Sequence, residues 1–209
     1  MELPWPSLRR WTLETLLPLT KFINKIHVPA TRDVTLSQAQ EAEGLVLPGD
    51  VLIVYAAGYA TNLIIPGRYK HAAMYVGVVN GNKVVIEALG SGVRFTPLMA
   101  FLTAKDRVLM ARAKFCDAAM AEQAVVYAKG LIGLPYDYLI EYNADSRVNK
   151  TFYCSEIPWW SYSRAMIAAG QRSPFEPRMT MGVPTVTPQD YANATDKWAV
   201  VGQWPSAIV

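Results

Sequence analysis

Two apolar runs, "HAAMYVGVV" (71–79) and "KVVIEAL" (83–89), face each other across Asn80, Gly81 and Asn82, and no other feature constrains the fold as tightly. Strand-forming runs on either side of an Asn-Gly pair are a strong hairpin signal, because Asn and Gly accept the positive φ that tight turns require. The runs also carry two ionisable side chains among small or apolar neighbours. His71 opens the first, and Glu87 is the only ionisable residue of "VVIEALG". A three-residue loop at 80–82 pairs Val79 with Lys83, and therefore Tyr75 with Glu87. His71 and Glu87 then share a face but stand four residues apart along it, roughly 13 Å at the rise of a strand. Contact between them requires a bulge, a strong twist or another register.

The remaining signals sort strands from helices. "LPGDVLIVY" reads as a turn at Pro48–Gly49 feeding a strand, and "RVLMARAKF" and "KWAVVGQW" are further strands. Asp117 is placed to cap a helix running to about Ile132, with Gly133 after it. "LPYDYLIEYNADS" reads as loop with a helical turn. A second core helix is expected from Cys154 to Ala169, stopped by Gly170. Residues 174–188 are Pro-rich and irregular, and Thr187 then caps a short helix with Pro188 in its first turn. Strands and helices that segregate in this way indicate an α+β fold with a largely antiparallel sheet.

Residues 1–27 predict an amphipathic helix capped by Ser7 and interrupted at Pro18, followed by a polar connector from Val28 to Gly44. Such a helix either docks on its own domain or serves as a docking element for a protein assembly partner or a membrane surface. The expected division is 1–44 for this element and 45–209 for the main domain.

Composition narrows the function classes. Apolar residues make up 52% of the 209 and charged residues 18%, against roughly 25% charged in an average soluble domain. The net charge of +3 is mild, and no block of basic residues points to nucleic acid. Two cysteines do not make a disulfide scaffold. "MELPWPSLRRWTLETLLPLTKF" is a poor secretory signal, with arginines and a glutamate inside its apolar stretch. The longest uncharged run, Val51–Gly67, falls short of a spanning helix. Synthesis in the cytoplasm without a leader or a membrane span is therefore the expectation.

"NKTFYCSE" (149–156) frames the chemistry. A thiol there fits a buried core position, and it fits equally a nucleophile at the mouth of a helix, where the dipole and free N–H groups favour thiolate and oxyanion. A nucleophile needs a base, and the chain has two histidines. His27 lies among connector residues, whereas His71 lies on a strand, where it is either structural or catalytic. Glu87 is either a surface glutamate or the group that orients the base. With two histidines and no ligand-spaced cluster, no metal and no cofactor is expected.

Taken in order, "PGDVLIVY", "HAAMYVGVVNGNKVVIEALGSGV", "LPYDYLI…TFYCSEI" and "TPQDY" resemble the permuted branch of the NlpC-like papain-fold cysteine amidases, the YiiX-like group. Papain-like enzymes place the cysteine helix before the histidine strand, and here His71 precedes Cys154, the order of the circular permutants. The resemblance covers about residues 45–203. It implies a permuted papain-like α+β fold, with an antiparallel barrel-like sheet packed on the cysteine-bearing helix. It further implies Cys154 as nucleophile, His71 as general base and Glu87 as the residue orienting the imidazole. Tyr136, Tyr153 and Ser155 are the candidates for contacting substrate or oxyanion, and Cys116 is a structural thiol. One departure stands out: Pro158 falls in the first turn of the presumed helix, so that helix starts late or splays open.

The resemblance implies amide hydrolysis, foremost in the peptide stems of peptidoglycan. Relatives that process acyl chains keep a lipid or fatty-acyl substrate as the alternative, and a scaffold role within an assembly is a third reading. A wall hydrolase carried in a phage tail would reconcile wall chemistry with the missing leader.

Overall fold

The computed structural model describes residues 32–59, 62, 65–138, 151–174, 176–180 and 183–205. Within them run α1 (Leu36–Leu45), β1 (Val51–Tyr55), β2 (His71–Val79), β3 (Asn82–Leu89), β4 (Gly92–Pro97), α2 (Leu98–Thr103) and β5 (Arg107–Ala113). There follow α3 (Ala118–Lys129), α4 (Glu156–Ala168), β6 (Arg178–Thr180), β7 (Val183–Thr185), α5 (Pro188–Asn193) and β8 (Trp198–Trp204). The amphipathic helix expected over 1–27 lies outside the described residues.

The hairpin forms, but in another register. Its turn has two residues, with Asn80 at φ 49° and Gly81 at φ 79°, the paired positive values of a tight hairpin turn. Asn82 therefore already belongs to β3, opposite Val79, and Lys83 faces Val78 where the sequence suggested Val79. Between Val78 and Tyr75 the ladder shifts again, so that Val76 and Gly77 together oppose Val84. Gly77 at φ 85° supplies the conformation this bulge requires. Beyond it Tyr75 pairs with Val85 and Met74 with Ile86. Continued one step, that register sets Glu87 beside Ala73.

Six strands form one sheet in the order β4-β3-β2-β1-β5-β8, with every pairing antiparallel. The α+β class and the antiparallel sheet agree with the sequence. The expected barrel-like closure does not occur: the sheet is open, with β4 and β8 as its edges. Helices cover both faces. On one, Ile53, Met74 and Ile86 pack with Ala124 and Ala128 of α3, Ile157 and Tyr162 of α4, and Tyr191 of α5. On the other, Leu52, Val54, Ala73 and Val85 pack with Ala39 and Ala42 of α1 and with Leu98, Phe101 and Leu102 of α2. Burial from both sides explains why β1, "VLIVY", is apolar without alternation.

Three further differences matter. Residues 36–45 sit in what reads as polar connector, yet Thr35 and Gln38 close a capping box and α1 inserts two alanines into the core. β4 and α2 are not among the elements expected from the sequence, and both border the site described below. α3 ends at Lys129, with Gly130 as its cap, three residues before Ile132. No helix among the described residues is long and apolar enough to cross a membrane.

α4 begins at Glu156 with Ser155 as its N-cap, so Pro158 occupies the third helical position. There its missing N–H interrupts no helical hydrogen bond, because the first-turn donors have no intrahelical acceptor. Tyr191 reaches in from α5. Its hydroxyl donates to the Ser155 carbonyl at 2.6 Å and the Trp159 N–H favours its ionised form, so it touches both ends of the first helical turn.

Candidate active site

Cys154 immediately precedes the N-cap of α4 and is held from two directions. Phe152 forms an isolated parallel bridge with Tyr136, its N–H donating to the Pro135 carbonyl at 3.0 Å and its carbonyl accepting from Asp137 N–H at 3.0 Å. On the other side the Ser155 hydroxyl donates to the Val186 carbonyl at 2.8 Å, and Val186 N–H donates to the Tyr153 hydroxyl at 3.1 Å. The thiol thus sits on a strap fixed at both flanks, where it meets the first residues of β2. The His71 side chain and the Ala72 N–H are its polar neighbours there, and both favour the thiolate.

His71 Nε2 lies 2.8 Å from Glu87 Oε2. The register explains the contact: with Glu87 beside Ala73, His71 is the diagonal cross-strand neighbour on the same face. Glu87 is 2% exposed, so every oxygen needs a partner. Its Oε1 accepts from Thr96 Oγ1 at 2.5 Å and from Arg94 Nη2 at 3.2 Å. Arg94 stands directly across the ladder from Glu87, and Thr96 two residues further along β4.

These contacts set the ionisation of all three groups. Burial opposes a charge on Cys154, but the nearby His71 charge, with the Ala72 N–H, holds its pKa below the ordinary thiol value. Burial likewise works against the imidazolium. The Cys154 thiolate and Glu87 carboxylate outweigh it and raise His71 to about 9. For Glu87, burial is overcome by His71 first, then by Thr96 and Lys105, which bring it down to about 2. The shifts on Cys154, His71 and Glu87 all favour the charged forms, each supported by its neighbour. Cys116 is the opposite case: burial, then the charge of Asp117, push it up to about 11.

A cleft of about 350 Å³ opens here, with Cys154, His71, Glu87 and Tyr136 in its wall. That volume is enough for a small ligand or one end of a larger one. Tyr136 keeps its proton, because burial and the nearby Cys154 thiolate raise its pKa well above the ordinary value. It can therefore donate into the cleft. Tyr153 does not line the cleft, since it is 3% exposed and bound to Val186. Ser155 is buried beside the thiol and bound to Val186 as well.

The structure thus brings Cys154, His71, Glu87 and Tyr136 to one cavity, with Ser155 behind the thiol. Sequence reasoning missed Arg94, Thr96 and Lys105. The first two had a usable signal, since "GSG" followed by "VRFT" is a turn leading into an alternating strand. Lys105 had none: it enters the cleft from the end of α2, and nothing in the sequence marks that approach.

A family model described as permuted papain-like amidase enzyme, YaeF/YiiX, C92 family matches residues 46–202. No curated protein and no solved structure matches the chain. The matched span runs from the turn ahead of β1 into β8 and contains His71, Glu87 and Cys154.

Proposed function

The chain belongs to the permuted papain-like amidase family, and from that premise we propose that it cleaves an amide bond through an acyl thioester on Cys154. The observation that carries this reading is the line from Cys154 through His71 to Glu87 at the wall of a cleft. The Cys154 thiolate attacks the amide carbonyl, and the oxyanion forms on the tetrahedral carbon. The His71 imidazolium gives its proton to the leaving amine as the C–N bond breaks, leaving a thioester. Neutral His71 then takes a proton from water, whose oxygen attacks the thioester. The acid leaves, and the thiolate–imidazolium pair is restored. Glu87 fixes the imidazole through Nε2 and stabilises its positive charge. Tyr136 is the side-chain donor available to the oxyanion.

For the substrate we propose the peptide stems of peptidoglycan. A cleft lined by apolar side chains together with Asn62, Lys70, Arg94 and Lys105 suits a peptide better than a free acyl chain, which offers those polar groups nothing to bind. The test is mass spectrometry of fragments released from purified peptidoglycan by the wild type and by Cys154→Ala. Stem-peptide fragments from the wild type alone support the assignment and identify the bond. Equal release by both, or release by neither, overturns it.

A further inference from the structure

Lys105 is the group in the cleft that the amide chemistry leaves unused. Its backbone is tied down at the C-terminal end of α2, with its N–H on the Leu102 carbonyl at 3.2 Å and its carbonyl accepting from Val34 N–H at 3.2 Å. Its side chain lines the same cavity as Cys154. The ammonium stands 4.5 Å from the centroid of the Phe101 ring, and that ring lies 6.2 Å from the imidazole of His71. The ammonium and the imidazole therefore border the same aromatic ring.

Neighbouring carboxylates attract this ammonium without pairing with it directly. Glu87 is committed to His71, Arg94 and Thr96. Asp106 is committed to Arg32 and to the Ala57 N–H. Lys70, also in the cleft wall, donates to the Ile65 carbonyl at 2.5 Å. Among the described residues, no hydrogen-bond acceptor or ion-pair partner reaches Lys105 Nζ; burial opposes its charge most, Glu87 and Asp106 favour it without contact, and Arg32 and Arg94 oppose it. A deep ammonium facing a cavity without an acceptor is costly unless a ligand supplies the missing anion.

We propose that Lys105, with Arg94 beside it, forms an anion subsite that holds a carboxylate of the amide substrate while Cys154 attacks. The inference rests on the proposed role of Cys154. A carboxylate fits better than a phosphate, because one free ammonium and an already engaged guanidinium match a single negative charge. A phosphate site recruits several backbone N–H groups, whereas Lys105 follows the C-terminal end of a helix, where carbonyls point outward.

Two maleimides test the subsite. N-ethylmaleimide is neutral, and 3-maleimidopropionate carries a carboxylate a few bonds from the reacting carbon. The quantity read is the ratio of their Cys154 labelling rates, each normalised to the rate with glutathione. In the wild type the ratio favours the carboxylate reagent. Lys105→Met and Lys105→Gln lower it about ten-fold, the value of one charge-assisted hydrogen bond, and Lys105→Arg retains most of it. Labelling by both reagents with a ratio indifferent to Lys105 overturns the subsite and leaves the amidase reading standing.

Direct binding keeps the two ideas separable if neither reagent labels Cys154, which would overturn the nucleophile instead. Titration calorimetry of N-acetylglutamate against Cys154→Ser, with and without Lys105→Met, then decides. Binding that depends on Lys105 supports the subsite, and its absence overturns it. Preference for glycerol 3-phosphate over N-acetylglutamate would overturn the carboxylate assignment in favour of a phosphate-bearing ligand.

Discussion

His71 Nε2 and Glu87 Oε2 stand 2.8 Å apart, and the extra residue at Val76–Gly77 makes that separation possible. The bulge and the two-residue turn each move β3 by one position relative to a regular three-residue loop. Together they carry Glu87 from opposite Tyr75 to beside Ala73, within a side chain's reach of the imidazole. A backbone irregularity six residues from His71 in sequence thus sets the electrostatics of Cys154.

The bulge is expected to depend on Gly77. An added Cβ would meet only Pro48 Cγ at 3.7 Å, an ordinary contact, so space is not the constraint. The constraint is φ 85°, which costs an L-residue about 1–2 kcal/mol. Gly77→Ala should lower the unfolding free energy by that amount in urea titration, with an unchanged m-value. A variant as stable as the wild type would show that the bulge tolerates a side chain.

The pH profile of kcat/KM should be bell-shaped. The acid limb reports formation of the Cys154 thiolate, below the ordinary thiol range, and the alkaline limb reports loss of the imidazolium proton near pH 9. Both limbs belong to the coupled pair. The sign for stability follows from the same shift. His71 is raised above its ordinary value, so its contribution is complete below about pH 6.5 and is lost as pH climbs through about 9. An alkaline limb near 6.5 would mean that Glu87 and Cys154 do not stabilise the imidazolium.

Glu87→Gln keeps an oxygen for the imidazole but removes its counter-charge. The alkaline limb should move to lower pH, and kcat/KM at neutral pH should fall about ten-fold or more as the ion pair weakens. The pH profile separates this role from a structural one, which would lower the rate without moving the limb.

Tyr191→Phe removes the hydroxyl that donates to the Ser155 carbonyl. Thermal or chemical unfolding should show a loss of about 1 kcal/mol, the net value of one buried hydrogen bond. Because Ser155 adjoins Cys154, maleimide labelling should slow as well. Unchanged stability together with unchanged labelling would show that the Tyr191 hydroxyl contributes nothing to the start of α4.

Much of this protein is determined by local sequence. Asn80–Gly81 between two strand-forming runs favours a hairpin, because both residues accept positive φ. Thr187, Pro188 and Asp190 build their own helix start, with Thr187 N–H on Asp190 Oδ2 at 2.7 Å. The order of His71 before Cys154, with Glu87 alone in an apolar strand, is equally visible in one dimension, and so are the candidate nucleophile and base. Tertiary structure decided what depends on distant segments. Register is a cooperative property of two strands and the residues buried beneath them, so one extra residue at Gly77 was invisible until both faces were packed. The open sheet follows from which strands pair at its edges, and no single strand encodes that choice. Arg94, Thr96 and Lys105 acquire meaning only when β4 and the end of α2 are folded against Glu87 and the cleft, because a charge has no partner in a sequence until the chain brings one to it.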